Sequence, residues 1–318
     1  MAIGLFAPAW AQEAPAGRFD RTLSVSGAVD LTVKSGSGRV EVRPGADGQV
    51  IVAAEIKINN GWRSDADDSA MARVREIEKT PPIEQRGSII RIGELPNELT
   101  HNISISYVVT VPVQTRLVAN TGSGSQEIGS IRGPVNANTG SGSIHVGAIQ
   151  DTVDVRSGSG SLEVDGAKGR AEASSGSGRI RMRSIAGDAR AHTGSGSIEV
   201  EQTAEGRVDV SSGSGTIRVD GARGALNASN GSGSIDVSGT PTAAWTIDAA
   251  SGSVRLGLSP DAAFTLNART NSGDIQVSHP LTVTELRRGR ELHGLSKGGG
   301  PIVSVESSSG SISIRGNK

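Results

Sequence analysis

Cysteine is absent from the 318 residues of this chain, which excludes disulfides, thiolate metal ligands, a cysteine nucleophile and a lipidated N-terminal cysteine. Aromatic residues make up only 2% of the sequence and hydrophobic residues 35%, too little for a thick globular core. Trp10, Trp62 and Trp245 are the only tryptophans, so a sugar-binding surface built from stacked rings has little to draw on. Charge of one sign is also lacking. The 32 basic and 33 acidic residues leave a net charge of -1, with no global field to attract nucleic acid or an anionic membrane. No apolar run approaches the roughly 20 residues needed to span a bilayer.

The N-terminus is short and apolar from Ala2 to Trp10, and Ala9-Trp10-Ala11 fits the small-x-small pattern read by signal peptidase. Residues 1–11 therefore read as a signal peptide cleaved before Gln12, followed by a linker over 12–21. A basic region ahead of the apolar run is missing, which points to a start codon further upstream. The expected location is outside the cytoplasm: periplasm, cell surface or extracellular medium.

What the chain has in quantity is glycine, 44 residues of it, and serine. Composition alone would suit a flexible linker; periodicity decides otherwise. Thr139-Gly140-Ser141-Gly142-Ser143-Ile144-His145-Val146 recurs as Thr121 to Ile128, Ser157 to Val164, Ser175 to Met182, Thr193 to Val200, Ser212 to Val219 and Asn230 to Val237. Ile144, Leu162, Ile180 and Ile198 lie 18 residues apart, and Ile217 and Ile235 follow after 19 and 18. Each unit holds two apolar-x-apolar triplets, such as Ile144/Val146 and Val153/Val155, the period-2 signature of short strands. A turn is expected near Gly147 to Asp151. The second triplet is frequently alanine, as in Ala171/Ala173 and Ala189/Ala191, which fits two thin sheets packed at close range.

The predicted fold is all-β: a single-stranded parallel β-solenoid, or β-helix, with about 18 residues per coil and two short strands in each. One coil cannot bury enough apolar surface to stand alone, so neighbours must stack. Stacking places Glu127, His145, Glu163, Arg181, Glu199, Arg218, Asp236 and Arg255 in one outward column, about 4.8 Å apart. From Glu163 onward the signs alternate, which favours this register over its alternatives.

The regular solenoid is expected over 116–318, after an N-terminal β region over 22–115. Within the latter, Ser64-Asp65-Ala66-Asp67-Asp68, the apolar stripe Ala70, Val74 and Ile77, and Pro81-Pro82 predict one helical insertion near 64–80. Trp245 and Phe264 stand where earlier coils have smaller residues and imply a wider core towards the C-terminus. An excursion over 280–301 leaves the pattern, and polar Arg315-Gly316-Asn317-Lys318 is expected to protect an open solenoid edge from end-to-end pairing.

No residue pattern announces catalysis. His101, His145, His192, His279 and His293 lack the paired spacing of a metal site. The serine runs precede strands, not helices, so they are neither hydrolase elbows nor phosphate loops. The Gly-Gly-x-Gly-x-Asp pattern of calcium-binding β-rolls is absent, and Asp154, Glu172 and Asp209 are expected to face solvent. No cofactor is predicted. The one candidate contact is basic: Arg287, Arg288, Arg290 and Lys297 could meet phosphate or an acidic polysaccharide, or simply form a solvated hairpin.

The repeated Ser-Gly-Ser/Asp-Ile-x-Val units, the strand Tyr107-Val108-Val109-Thr110-Val111-Pro112 before them, and Gly298-Gly299-Gly300-Pro301 ahead of a final Ser309-Gly310-Ser311-Ile312 resemble the bacterial adhesin-like proteins of β-strand repeats, a family of unknown function. The resemblance covers roughly Thr22 to Arg315 and implies an exported or envelope-associated β-solenoid. The expected function is a non-enzymatic adhesin-like or envelope scaffold, binding an envelope or extracellular protein or polysaccharide through contacts spread along its faces. Two alternatives are a polysaccharide-acting enzyme with a groove on the solenoid, and an envelope-stress or regulatory binding protein.

Overall fold

A computed structural model describes residues 15–59, 67–287 and 289–316. The segment read as a signal peptide, and Ser64 to Ala66 of the expected helix start, lie outside the described residues. Two long sheets, of 14 and 15 strands, face each other across one continuous core. Through the middle of the chain every coil contributes one strand to each sheet, and all neighbours are parallel. Val135–Thr139, Val153–Ser157 and Ala171–Ser175 stack on one side; Ile144–Ile149, Leu162–Ala167 and Ile180–Ile185 stack on the other. The first strand of a coil runs on to Ile149, through the turn expected to open at Gly147, because Ile149 and its equivalents Ala167 and Ile185 supply a third inward residue.

The glycine-serine run is the corner between the two strands. Its first hydroxyl residue points inward and links successive coils: the Ser157 hydroxyl donates to the Gly142 carbonyl at 3.0 Å and accepts from the Gly160 amide at 2.8 Å. Ser175 repeats both bonds with Gly160 and Gly178. Because these hydroxyls are buried, each satisfies backbone groups that no strand partner reaches. The glycines stack on one another so closely that a Cβ at Gly160 would lie 1.8 Å from the Gly142 oxygen. Composition that resembled a linker is therefore a packing requirement.

Both ends depart from simple stacking. The coil made by Val29–Ser35 and Val40–Gly45 lies between strands that follow it in sequence: Val29–Ser35 pairs with Ile89–Ile92 and Thr115–Thr121, and Val40–Gly45 with Ile103–Pro112 and Gln126–Ile128. Beyond it, Gln49–Ile58 and Gly17–Ser24 add antiparallel strands. Gly17–Ser24 begins inside the stretch 12–21 read as a linker; Phe19, buried beside Tyr107, fixes it to the core. The helix Asp67–Lys79 covers this end with Ala70, Val74 and Ile77 buried. It comes so close that a Cβ on Gly17 would sit 2.5 Å from Val74.

At the other end the last segment turns back inward. Ile302–Ser309 lies between Trp245–Ser251 and Phe264–Ser272, and Ile312–Gly316 lies between Val254–Leu258 and Ile275–Val277. The C-terminal strand is therefore an interior strand. This corrects the expectation that Arg315 and Gly316 guard an open edge, since Ile275–Val277 is the outermost strand of that sheet. The excursion over 280–301 is an antiparallel hairpin, Thr282–Arg287 with Glu291–Ser296, that extends the 15-stranded sheet. Trp245 and Phe264 are fully buried, as their place in the wider core requires.

Candidate functional site

The outward column on the 14-stranded sheet is continuous. Glu127, His145, Glu163, Arg181, Glu199, Arg218, Asp236 and Arg255 are direct register partners in that order. Arg181 reaches both neighbours, at 2.8 Å from Glu199 and 3.8 Å from Glu163. The Glu199 hydrogen bond and charge raise its already high pKa. Arg255 binds Asp236 at 3.1 Å.

A second column two residues further along each strand joins the first, and the sequence reading missed it. Arg183 lies 2.8 Å from Glu163 and 3.4 Å from Asp165, while His145 Nε2 is 3.0 Å from Asp165. Arg218 takes Asp220 on its own strand at 2.7 Å in preference to its cross-strand neighbours. The signal for these contacts was present in the i, i+2 spacing that puts both residues on one strand face. At the N-terminal end of the column the inserted coil brings Glu41 beside Glu127. Arg43 pairs with Glu41 and Arg39 with Glu127, so the two like charges are separately neutralised. No sequence spacing could place that coil there.

Around Arg39, Glu127, His145 and Glu163 the face dips into an open groove of about 380 Å³. Its floor includes Gln126, an inward polar residue in an otherwise apolar row. Its amide nitrogen donates to Thr121 Oγ1 at 2.9 Å and to the Asn138 carbonyl at 2.6 Å, and its Oε1 has no protein partner. The groove thus offers cationic, anionic and neutral groups together in a rigid strand lattice.

The 15-stranded sheet carries its own outward rows. Arg156 lies 2.8 Å from Asp154 and 3.6 Å from Glu172. Partial burial raises the Asp154 pKa, Arg156 opposes the shift, and Glu172 adds to it. Near the C-terminus Asp248 stands beside Glu306, and burial together with the Glu306 charge raises its pKa.

The predicted basic contact is not brought together as one patch. Arg287, at the end of its strand, is paired with Glu285, and Arg290 is exposed in the hairpin turn. Lys297 lies past the opposite end of the returning strand, bound to Asp261, whose pKa it lowers. Arg288 lies outside the described residues. The histidines are likewise dispersed. His192 meets Ser211 at 2.7 Å, His293 meets Asn267 at 2.8 Å, and buried His279 contacts the Ser259 and Pro280 carbonyls. Among the described residues no group of three or more His, Cys, Asp or Glu is arranged to hold a metal ion, and no helix is long and apolar enough to cross a membrane.

Comparison with curated proteins finds no match. Three solved structures, each of a protein with the word "putative" in its name, are similar over nearly the whole chain. A cell adhesion protein from Clostridium sporogenes is 10% identical, with 94% of this chain and 100% of that one covered and a TM-score of 0.22. An adhesin from Bacteroides fragilis is 12% identical, with 94% and 97% covered and a TM-score of 0.37. A lipid-binding protein from Parabacteroides distasonis is 11% identical, with 95% and 97% covered and a TM-score of 0.37. A family model matches residues 106–315, the last strand of the N-terminal region and all the regular coils. With its stacked parallel coils, glycine-serine corners and matching sequence, the chain belongs to the Toastrack DUF4097 family.

Proposed function

We propose that the protein is an exported, non-enzymatic scaffold of the bacterial envelope, and that it binds an envelope or extracellular polymer through the charged face of its 14-stranded sheet. The observation that carries this reading is the column from Glu127 to Arg255, whose members are direct neighbours in consecutive parallel strands. Their backbone is fixed by the corner hydroxyls, so little ordering entropy is lost when a partner docks. Alternating charge at a constant spacing near 4.8 Å suits a partner that is itself repetitive, and selects against one of uniform charge. The groove beside His145 gives such a partner a recessed point of contact.

Fractionation and capture test the proposal together. The protein made in its native host is expected in the periplasmic, surface or extracellular fraction, shortened at Gln12. Immobilised on a resin, it is expected to retain a component of isolated envelopes in low salt and to release it as salt is raised. Uncleaved protein confined to the cytosol would refute export, and an envelope extract that passes the resin unbound would refute the scaffold.

A further inference from the structure

The two ends of the solenoid are finished differently. At the N-terminal end the helix Asp67–Lys79 covers the last strands. At the C-terminal end the 14-stranded sheet stops at Ile275–Val277, while the 15-stranded sheet runs two strands further, through the hairpin, and ends on Thr282–Arg287. That strand is paired on one side only. Leu286 stands opposite buried Leu292 and so shares its inward face, yet it is 60% exposed, because the 14-stranded sheet has already ended. Val283, on the same strand, is 51% exposed. These are two of the five large apolar side chains that are exposed among the described residues.

A free edge strand is a template for another chain, and the order of charges on this one selects which. The Arg287 carbonyl accepts from the Arg290 amide at 3.0 Å across the hairpin turn, so it faces the returning strand. Alternation then directs the amide and carbonyl of Leu286 outward. Two copies related by a two-fold axis can exchange both hydrogen bonds at Leu286 in an antiparallel pair. Glu285 of each copy then stands opposite Arg287 of the other, in the closely spaced type of pair. Sliding by two residues either way, which keeps the outward groups in line, sets Glu285 against Glu285 or Arg287 against Arg287, and like charges directly opposite are destabilising.

The strands behind the edge continue the same pattern. On the outward face Arg269, Glu291 and Arg287 are successive register partners, as are Asn267, His293 and Glu285. Joined at Leu286, a row would run through Arg269, Glu291 and Arg287 to the partner's Glu285, the partner's His293 and the partner's Asn267, with no like charges adjacent. Within one chain Arg287 already pairs with Glu285; the second copy brings each of them a further opposite charge. We propose that Thr282–Arg287 is the interface of a two-fold homodimer, which joins two solenoids through their C-terminal ends. The pairing with Glu291–Ser296 shifts register between Val283 and Glu285, so the regular stretch is short. The interface is accordingly small, and the dimer is expected to dissociate on dilution. The charged face of the 14-stranded sheet takes no part in it, and either proposal can fail without the other.

Sedimentation velocity on the full-length protein over a dilution series tests this inference. The mean mass is expected to rise with concentration from one protomer towards two and to stop there. Glu285→Arg and Arg287→Glu each set like charges opposite one another across the two-fold axis, and each protein alone is expected to stay monomeric. An equal mixture of the two is expected to dimerise, because positions 285 and 287 are then opposite in sign across the joint. A role confined to one chain gives no such rescue. Leu286→Lys, at the axis, is expected to stay monomeric, whereas Ile89→Ser, exposed at the other end of the same sheet, is expected to dimerise as the wild type does. A wild-type protein that remains a monomer at its highest soluble concentration, or that grows beyond two protomers, would overturn the proposal. So would a dimer of Leu286→Lys, or a mixture of the two charge variants, each with the circular dichroism of the wild type, that fails to dimerise.

Discussion

Asp248 and Glu306 stand directly opposite each other in neighbouring strands because the C-terminal segment is slotted between two earlier coils. Two carboxylates in adjacent register positions repel, and Arg269, the next residue in the row, lies on the far side of Glu306. Partial burial and the Glu306 charge together raise the Asp248 pKa above its ordinary 3.8. The folded chain therefore holds this proton more tightly than the unfolded chain does. Stability from this group is fully present below about pH 3.8 and is lost as pH rises through the raised folded value. Asp248→Asn is expected to raise the melting temperature at pH 7 and to narrow its difference from the wild type in acid. Equal melting curves at pH 7 would contradict this.

Removal of residues 301–318 tests the slotted strand itself. Trp245 would lose Val303, its register partner on one side, and adjoin an empty slot. It is fully buried in the intact chain, with its indole N–H 2.9 Å from the Gly224 carbonyl. The truncated protein is expected to show red-shifted tryptophan fluorescence and a less cooperative thermal transition, while the coils before Trp245 keep their strand signal in circular dichroism. An unchanged emission maximum would place the last strand elsewhere.

The corner makes a graded prediction. Gly160→Ala drives a methyl group into the Gly142 carbonyl and is expected to cost more than about 2 kcal/mol. Ser157→Ala leaves the Gly142 carbonyl and the Gly160 amide without their buried partner and is expected to cost about 1–3 kcal/mol. Ser159→Ala, on the exposed side of the same corner, is expected to fall within about 0.5 kcal/mol of wild type. Chemical denaturation of the three variants gives the ranking; a Ser159 variant as unstable as Gly160→Ala would refute it.

Arg181→Glu would place three acids in consecutive coils, with Glu163 and Glu199 on either side. The loss of melting temperature is expected to be larger near 0.01 M salt, where the screening length is about 30 Å, than near 1 M, where it is about 3 Å. A loss independent of salt would mean that the guanidinium acts through packing and not through charge.

Register and ladder order were legible in the sequence because both follow from a repeat of 18 and a period of two. Once Ile144 and Leu162 are known to face inward, His145 and Glu163 must face outward as neighbours. Chain order at the ends was not legible. Val303 and Val305 form the same inward pair as any other coil, and nothing local to them says that their neighbours are Trp245 on one side and Leu266 on the other. The basic excursion shows the same limit. Arg287 and Lys297 stood out as charges, but their partners Glu285 and Asp261 become visible only when the hairpin and the loop before it are folded.

The claim that the charged face is what binds is tested most directly by capture of envelope components on the variant Arg183→Gln/Glu199→Gln. These residues lie on the outward ladder face, half-buried and held by ion pairs to Glu163 and Arg181. With its circular dichroism unchanged, this protein is expected to lose most of the envelope material that the wild type retains at low salt. Retention equal to that of the wild type would contradict the assignment of binding to this face.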